Sequence, residues 1–464
     1  MCAFTRPNSL TRRELLAGTA AAALAAVGRP AKAVEAPPNI VYLLIDDMGF
    51  TDVGFQGGQF ATPHMDALAA SGAVLDQHYV QPLCSPTRAA LLTGRYPMRY
   101  GLQVGVVRPW AKYGLPLSER LLPQALGALG YQTAICGKWH LGHCQPEYLP
   151  TRRGFDHQYG HYNGAIDCFT HERDGGFDWH RDDKVCRDEG YSTDLIADDA
   201  IAWLRARDKK RPFFLYLPFN AVHAPLQAPR EWLDKAADLR PRDRAYGAML
   251  MALDAAIGRI VAALTAEGLL DKTLIVLTSD NGGPRPGSNG TLRGAKGSVY
   301  EGGTRVAACM SWPGRVKAGS RLNQPVHLTD WYPTLIGLAG GKVDQPLPID
   351  GRDQRACLFD GAASAREEML LNAAPAGGAL RLGDWKLVVG NPRDNEEGGA
   401  PERRNGAELF NLAQDPGEKT DLAAREPERL ATLRRRYDEL ARQAVPSRQA
   451  PAAPDYKAPA VWGE

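Results

Sequence analysis

The sequence predicts an α/β fold, a mixed sheet flanked by helices, followed by a smaller C-terminal α+β unit that contains an antiparallel sheet. Three observations point there. Continuous apolar runs such as residues 38–45 and 273–279 read as strands buried on both faces, the pattern of a parallel sheet covered by helices. Helical segments alternate with these runs along most of the chain. The runs also end in ligand-type residues: Asp46-Asp47, Lys138-x-His140, His223 and Asp280-Asn281. Strand ends in such a sheet share an edge, so these clusters are expected to meet in one site.

Taken in order, residues 1–33 read as a twin-arginine export signal. Thr11-Arg12-Arg13-Glu14-Leu15-Leu16 leads into an alanine-rich apolar run to Val27, and Ala31-Lys32-Ala33 offers a small-residue cleavage site. The run is short of the ~20 residues a spanning helix needs. No other stretch reads as long and apolar enough, so a periplasmic or secreted protein without a stable membrane anchor is expected, exported by the twin-arginine translocase.

Residues 34–364 form the main domain in this reading. A strand at 38–45 is followed by a capped helix at 62–72. Next comes Cys84-Ser85-Pro86-Thr87-Arg88, with Ser85 as N-cap, Pro86 at the first helical position and Gly94 closing the helix. Cys84 ahead of a helix N-terminus, with Arg88 one turn on, predicts a lowered thiol pKa; an inert buried cysteine is the alternative. A helix at 121–130 and a strand at 132–136 follow, then a polar loop over 157–191. Residues 192–207 are helical, 212–219 a strand, 244–268 a long amphipathic helix, 273–279 a strand and 330–339 a helix. Residues 365–464 make the C-terminal unit, with strands at 369–372, 379–382, 384–389 and 408–412 and a helix at 427–444.

Composition is that of an ordinary globular protein, 44% hydrophobic and 23% charged. Lys plus Arg number 55 against 53 Asp plus Glu, so no basic excess suggests a nucleic-acid partner. The eight cysteines form no C-x-x-C unit. Removing Cys2 with the leader leaves an odd number, so at least one is outside a disulfide; Cys168–Cys186 and Cys136–Cys144 are the candidate pairs.

Asp46, Asp47, Asp280 and Asn281 supply hard oxygen donors, a set that suits Ca²⁺, with Mg²⁺ as the alternative, and argues against zinc. Three carboxylates would repel an anionic substrate unless a cation lay between them. Arg88, Lys138, His140, His223 and Lys296 supply positive groups around that centre, so a tetrahedral oxyanion ester is the expected substrate.

These residues carry a resemblance. Cys84-Ser85-Pro86-Thr87-Arg88 with Thr93-Gly94-Arg95, and Gly137-Lys138-Trp139-His140-Leu141-Gly142, match the two signatures of type I sulfatases in the alkaline phosphatase superfamily. Leu149 to Asp156, Leu292-Arg293-Gly294-Ala295-Lys296 and Trp331-Tyr332-Pro333-Thr334 resemble the arylsulfatase B (N-acetylgalactosamine-4-sulfatase) branch. The resemblance implies an alkaline phosphatase-like sheet, bound calcium, and conversion of Cys84 to Cα-formylglycine by a formylglycine-generating or anaerobic maturation enzyme. It implies that a hydroxyl of the aldehyde hydrate, deprotonated with help from Asp280, attacks sulfur. His223 and Lys296 would assist departure of the alcohol, His140 would help eliminate sulfate, and Lys138 and Arg88 would hold the sulfate and the hydrate. Metal ligands would be Asp46, Asp47, Asp280, Asn281 and the group made from Cys84. The expected substrate is a sulfated glycan or an aryl sulfate, with 4-sulfated N-acetylgalactosamine as the suggested sugar. A phosphate mono- or diesterase and a non-catalytic sulfated-glycan binding protein are the alternatives.

Overall fold

The computed structural model describes residues 36–374, 377–390 and 406–464; the leader, 1–33, lies outside them. Among the described residues, ten strands form the main sheet, in the order Ser320–Leu322, Ala73–Leu75, Ala308–Ser311, Thr273–Ser279, Asn39–Ile45, Phe213–Pro218, Gln132–Lys138, His157–His161, His180–Arg181 and Lys184–Val185. From Thr273–Ser279 to His157–His161 the neighbours are all parallel. Their C-terminal ends therefore lie on one edge, and the edge strands outside this block include antiparallel ones.

The Asn39–Ile45 strand shows why the apolar runs are continuous. Its alternate residues enter different cores, Ile40, Tyr42 and Leu44 on one face and Val41, Leu43 and Ile45 on the other. The first core is closed by Cys84–Thr93 and Trp331–Leu338, the second by Pro63–Ser71, Ser192–Ala206 and Pro241–Ala266. The C-terminal sheet is separate and antiparallel, ordered Glu368–Ala374, Gly377–Leu382, Trp385–Gly390, Ala407–Asn411. One face packs Leu380, Leu387 and Leu409 against Leu433 and Tyr437 of the helix Pro427–Ala441. The other presents Val388 and Phe410 to Tyr79, Val299 and Tyr300 of the main domain.

Several expectations are corrected. The 157–191 region is not all loop, because His157–His161 joins the main sheet beside Gln132–Lys138. Its sequence, His-Gln-Tyr-Gly-His, lacks an apolar run, so backbone pairing rather than patterning defines it. The long helix begins at Pro241, not 244; it is long and apolar enough to cross a membrane, yet it is mostly buried and packs in the second core. Neither candidate disulfide forms, since Cys84, Cys136, Cys144, Cys168, Cys186, Cys309 and Cys357 are all free thiols. Cys136 is buried and turns its sulfur to Asp199, while Cys144 is exposed; Cys168 is buried beside Asn220, which donates to its sulfur.

Candidate active site

The predicted residues converge. Asp46-Asp47 and Asp280-Asn281 leave adjacent parallel strands, where Ser279 Oγ accepts from Met48 N at 3.1 Å and donates to the Asn281 carbonyl at 2.9 Å, tying the two turns together. Lys138 ends the Gln132–Lys138 strand, and its amine contacts Asp46 Oδ2. Gly137 before it has φ 132°, and a β-carbon there would lie 2.1 Å from the Pro218 carbonyl, so the approach of the neighbouring strand requires glycine. Arg88 donates to Asp280 Oδ2 through NH2 at 2.8 Å and Nε at 3.2 Å, and to the Lys138 carbonyl at 3.1 Å. Lys296 Nζ lies 2.9 Å from Asp47 Oδ2, and His223 Nε2 lies 3.7 Å from the same oxygen. Cys84 offers its sulfur beside Asp46 and Asp280, and His140 feels the charges of Lys138, Arg88, His223 and Lys296, so all ten predicted residues belong to one constellation.

The helix carrying Cys84 starts differently from expectation. Cys84 is itself the first residue of the helix Cys84–Thr93, and Leu83 occupies the cap. Ser85 cannot cap because its hydroxyl donates to the His140 carbonyl at 2.9 Å and accepts from Val107 N at 3.0 Å. Pro86 is tolerated within the first turn, where its missing N–H would have had no intrahelical partner. The thiol pKa is also opposite to expectation. Burial pushes Cys84 up to about 12, a larger effect than the lowering by Lys138 and Lys296, and Asp280 and Asp46 push the same way as burial. A helix terminus contributes only about 0.3–1 kcal/mol in exposed settings, too little to offset desolvation of a thiolate. The unmodified thiol is therefore a poor nucleophile here.

His140 feels the charges of the same cluster. Burial, followed by Lys138 and Arg88, holds its pKa well below the usual imidazole range. Its Nε2 is 3.1 Å from the Val107 carbonyl, which can only accept, so Nε2 carries the proton. Nδ1 is left as a buried acceptor with no hydrogen-bond partner. Gly164 packs on the ring so closely that a β-carbon would come 2.5 Å from Cε1 and Nε2. Neither Val107 nor Gly164 stands out in the sequence, because a carbonyl and a missing side chain leave no motif. Asn289 is a further residue that motif reading passes over. Although it opens an Asn-Gly-Thr sequon, its side chain is buried and bonds Phe50 N and both backbone groups of Gly283, so it braces the site.

The cluster is electrically balanced by its own residues: Asp46, Asp47 and Asp280 face Arg88, Lys138 and Lys296. Charge alone therefore does not demand a metal, which corrects the simpler arithmetic from the acids. Unsatisfied oxygens point to one instead. Asp46 Oδ1 and Asn281 Oδ1 are buried without a hydrogen-bond partner, a costly arrangement for a carboxylate and an amide. Asp46, Cys84 and Asp280 offer ligand atoms within 4.8 Å of one another, as do Asp46, Asp47 and His223. These residues fit a hard dication. Lys138, His223, Arg88 and Lys296 together outweigh burial and hold Asp46 well below the carboxylate range, so it is ionised and ready to ligate. Asp280 goes the other way: burial and the Asp46 charge raise it to about 6 against Arg88.

Comparison with known proteins agrees with this geometry. The family model described as Sulfatase matches residues 38–341. Arylsulfatase J of Mus musculus is 36% identical over 465 residues, covering 90% of this chain and 78% of its own length. N-acetylgalactosamine-6-sulfatase of Mus musculus is 36% identical over 366 residues, covering 73% of this chain and 69% of its own. Among solved structures, Ps i-CgsB in complex with k-i-k-neocarrahexaose is 32% identical and superposes with a TM-score of 0.81 over 88% of this chain and 94% of that one. The motifs around Cys84 and Lys138, the convergence of their side chains and these likenesses agree, and the chain belongs to the sulfatase family as a type I sulfatase, a hydrolase of sulfate esters.

Proposed function

We propose that the protein is a calcium-dependent formylglycine sulfatase acting on a sulfated carbohydrate. The observation that carries this reading is the pair of unpartnered buried oxygens, Asp46 Oδ1 and Asn281 Oδ1, beside Cys84 and within a ring of cations. Asp46, Asp47, Asp280 and Asn281 would hold the ion, Ca²⁺ in preference to Mg²⁺. Bound there, the ion supplies Lewis-acid stabilisation of negative oxygen and gives the balanced cluster a net positive charge that attracts a sulfate ester. Cys84 is the residue to be converted, which supplies an aldehyde hydrate as nucleophile in place of a thiol that burial has disabled.

The chain's own groups have separable tasks. Arg88, locked onto Asp280 and the Lys138 carbonyl, fixes the geometry around residue 84. Lys138 orients the sulfate group. Lys296 Nζ and His223 Nε2, on the Asp47 side, deliver a proton to the departing alcohol oxygen. His140 accepts a proton at Nδ1, the nitrogen its bond to Val107 leaves open. A phosphatase reading has no comparable support, since the family model and the relatives named above are sulfatases.

The sugar is a galactose-type sulfate in this reading. Relatives named for N-acetylgalactosamine 6-sulfate and a neighbour solved with a neocarrahexaose support the class, and the branch motifs suggest 4-sulfated N-acetylgalactosamine. Residues 1–33 would direct the protein through the twin-arginine translocase to the periplasm or beyond, after Cys84 has met its maturation enzyme. The decisive experiment assays Cys84→Ser, matured aerobically, beside the parent protein on 4- and 6-sulfated N-acetylgalactosamine and neocarra-oligosaccharides. Loss of turnover with an unchanged unfolding midpoint is expected; full activity in Cys84→Ser would sink the mechanism.

A further inference from the structure

Lys296 lies on an irregular segment between the strand Thr273–Ser279 and the short helix Glu301–Thr304, so no ladder or helix sets the position of its amine. On the site side the segment is held by Asn289 and by Gly297 N, which donates to the Pro82 carbonyl at 2.8 Å. On the other side the C-terminal sheet grips it. Arg293 NH1 reaches Glu408 Oε1 at 3.1 Å and the Glu418 carbonyl at 3.2 Å, while NH2 donates to Tyr300 Oη at 3.0 Å. Its guanidinium lies 3.8 Å from the Tyr300 ring centre and 5.7 Å from that of Phe410. Just beyond, Glu301 N donates to Glu418 Oε2 at 2.6 Å and Glu301 Oε1 meets Lys386 Nζ at 2.9 Å.

We infer that the C-terminal sheet sets the position of the Lys296 amine at the leaving-group oxygen, with Arg293 as the positioning residue and Glu408 as its counterpart. The inference rests on Lys296 acting at the leaving group. Arg293 is 33% exposed along its side chain, and its partner Glu408 30%, so their ion pair contributes little to stability. Its geometry is the reason to look for another role. The planar fork bonds a carboxylate, a carbonyl and a phenol while stacking on an aromatic face, which a lysine cannot reproduce. The chain before Lys296 is thereby fastened to a surface far away in sequence, and small displacements of a proton donor are costly to rate.

The test uses the matured enzyme and aryl sulfates of graded phenol pKa, with Lys296→Ala, Arg293→Ala, Arg293→Lys and the double variant. Lys296→Ala should lose on the order of 10²-fold or more in kcat on the poorest leaving group and progressively less on better ones. Arg293→Ala should lose about 10- to 100-fold with the same skew, in kcat rather than KM, with little change in unfolding midpoint. Arg293→Lys should not rescue, and the double variant should be no worse than Lys296→Ala. An Arg293→Ala loss that is even across leaving groups, or that multiplies with Lys296→Ala, overturns the inference. Absence of skew in Lys296→Ala itself would instead refute the role of Lys296. Should Arg293→Ala not fold, Glu408→Gln takes its place: a skewed loss in kcat supports the inference, and an even loss overturns it.

Discussion

Two buried clusters of opposite charges differ in one respect. At the sheet edge, Asp46, Asp47 and Asp280 meet Arg88, Lys138 and Lys296, and two oxygens are left over. At the junction with the C-terminal sheet, Glu301 and Glu418 share Lys386, and each carboxylate oxygen meets an amine, a phenol or an amide. Lys386 Nζ is 2.9 Å from Glu301 Oε1 and from Glu418 Oε1, Tyr79 Oη donates to Glu301 Oε2 at 2.7 Å, and Glu301 N donates to Glu418 Oε2. Burial of charge is thus common to both. Glu418 Oε1 also lacks a hydrogen-bond partner, but it faces the Lys386 ammonium, whereas the leftover oxygens at the edge, Asp46 Oδ1 and Asn281 Oδ1, belong to the cluster that gathers around Cys84.

Breaking the joint should have the largest effect on stability. Above the range in which Glu418 holds its proton, Lys386→Ala leaves two carboxylates buried without their amine, and a loss of about 3–5 kcal/mol in chemical denaturation is expected there. A loss below about 1 kcal/mol would mean that water satisfies the pair.

The edge cluster should respond to metal and the joint should not. Calcium at a hundred times its dissociation constant should stabilise the protein by about 2.7 kcal/mol, read as a rise in unfolding midpoint that a chelator reverses. Asn281→Ala should abolish that rise and Glu418→Gln should leave it intact. An equal response in both variants would erase the distinction between the clusters.

The smallest effect is in pH dependence. Burial raises Glu418 from its ordinary 4.5 to about 7, against the pull of Lys386 and with the push of Glu301. Its folded form therefore holds a proton that the unfolded chain has released across that window. The Glu418 contribution to stability accordingly falls as pH rises from about 4.5 to about 7. Glu418→Gln should flatten the corresponding slope in midpoint against pH, and an unchanged slope would assign it to other groups.

Much of the site is legible in the chain itself. Strands buried on both faces announce themselves as apolar runs, and residues just past their ends must share an edge if the strands are parallel. Asp46, Asp47, Lys138, His140, His223, Asp280 and Asn281 are found in that way, while the motifs around Cys84 and Lys296 supply the rest. The polar strand His157–His161 escapes because no apolar pattern marks it, although it is largely buried. Ser85 reads as a cap because its true partners, His140 and Val107, are remote in sequence.

By itself, then, the sequence determined the layer architecture, the family and which polar residues gather at one sheet edge, because periodicity and motif are local properties. The tertiary structure alone decided the electrostatics and the bracing. Desolvation depends on every atom around a group, and it reversed the expected direction for the Cys84 thiol. The tautomer of His140 follows from one carbonyl, Val107, and the hold on the Lys296 segment from Glu408, 115 residues beyond Arg293. Such contacts exist only once the chain has folded, because they join groups that no local pattern relates.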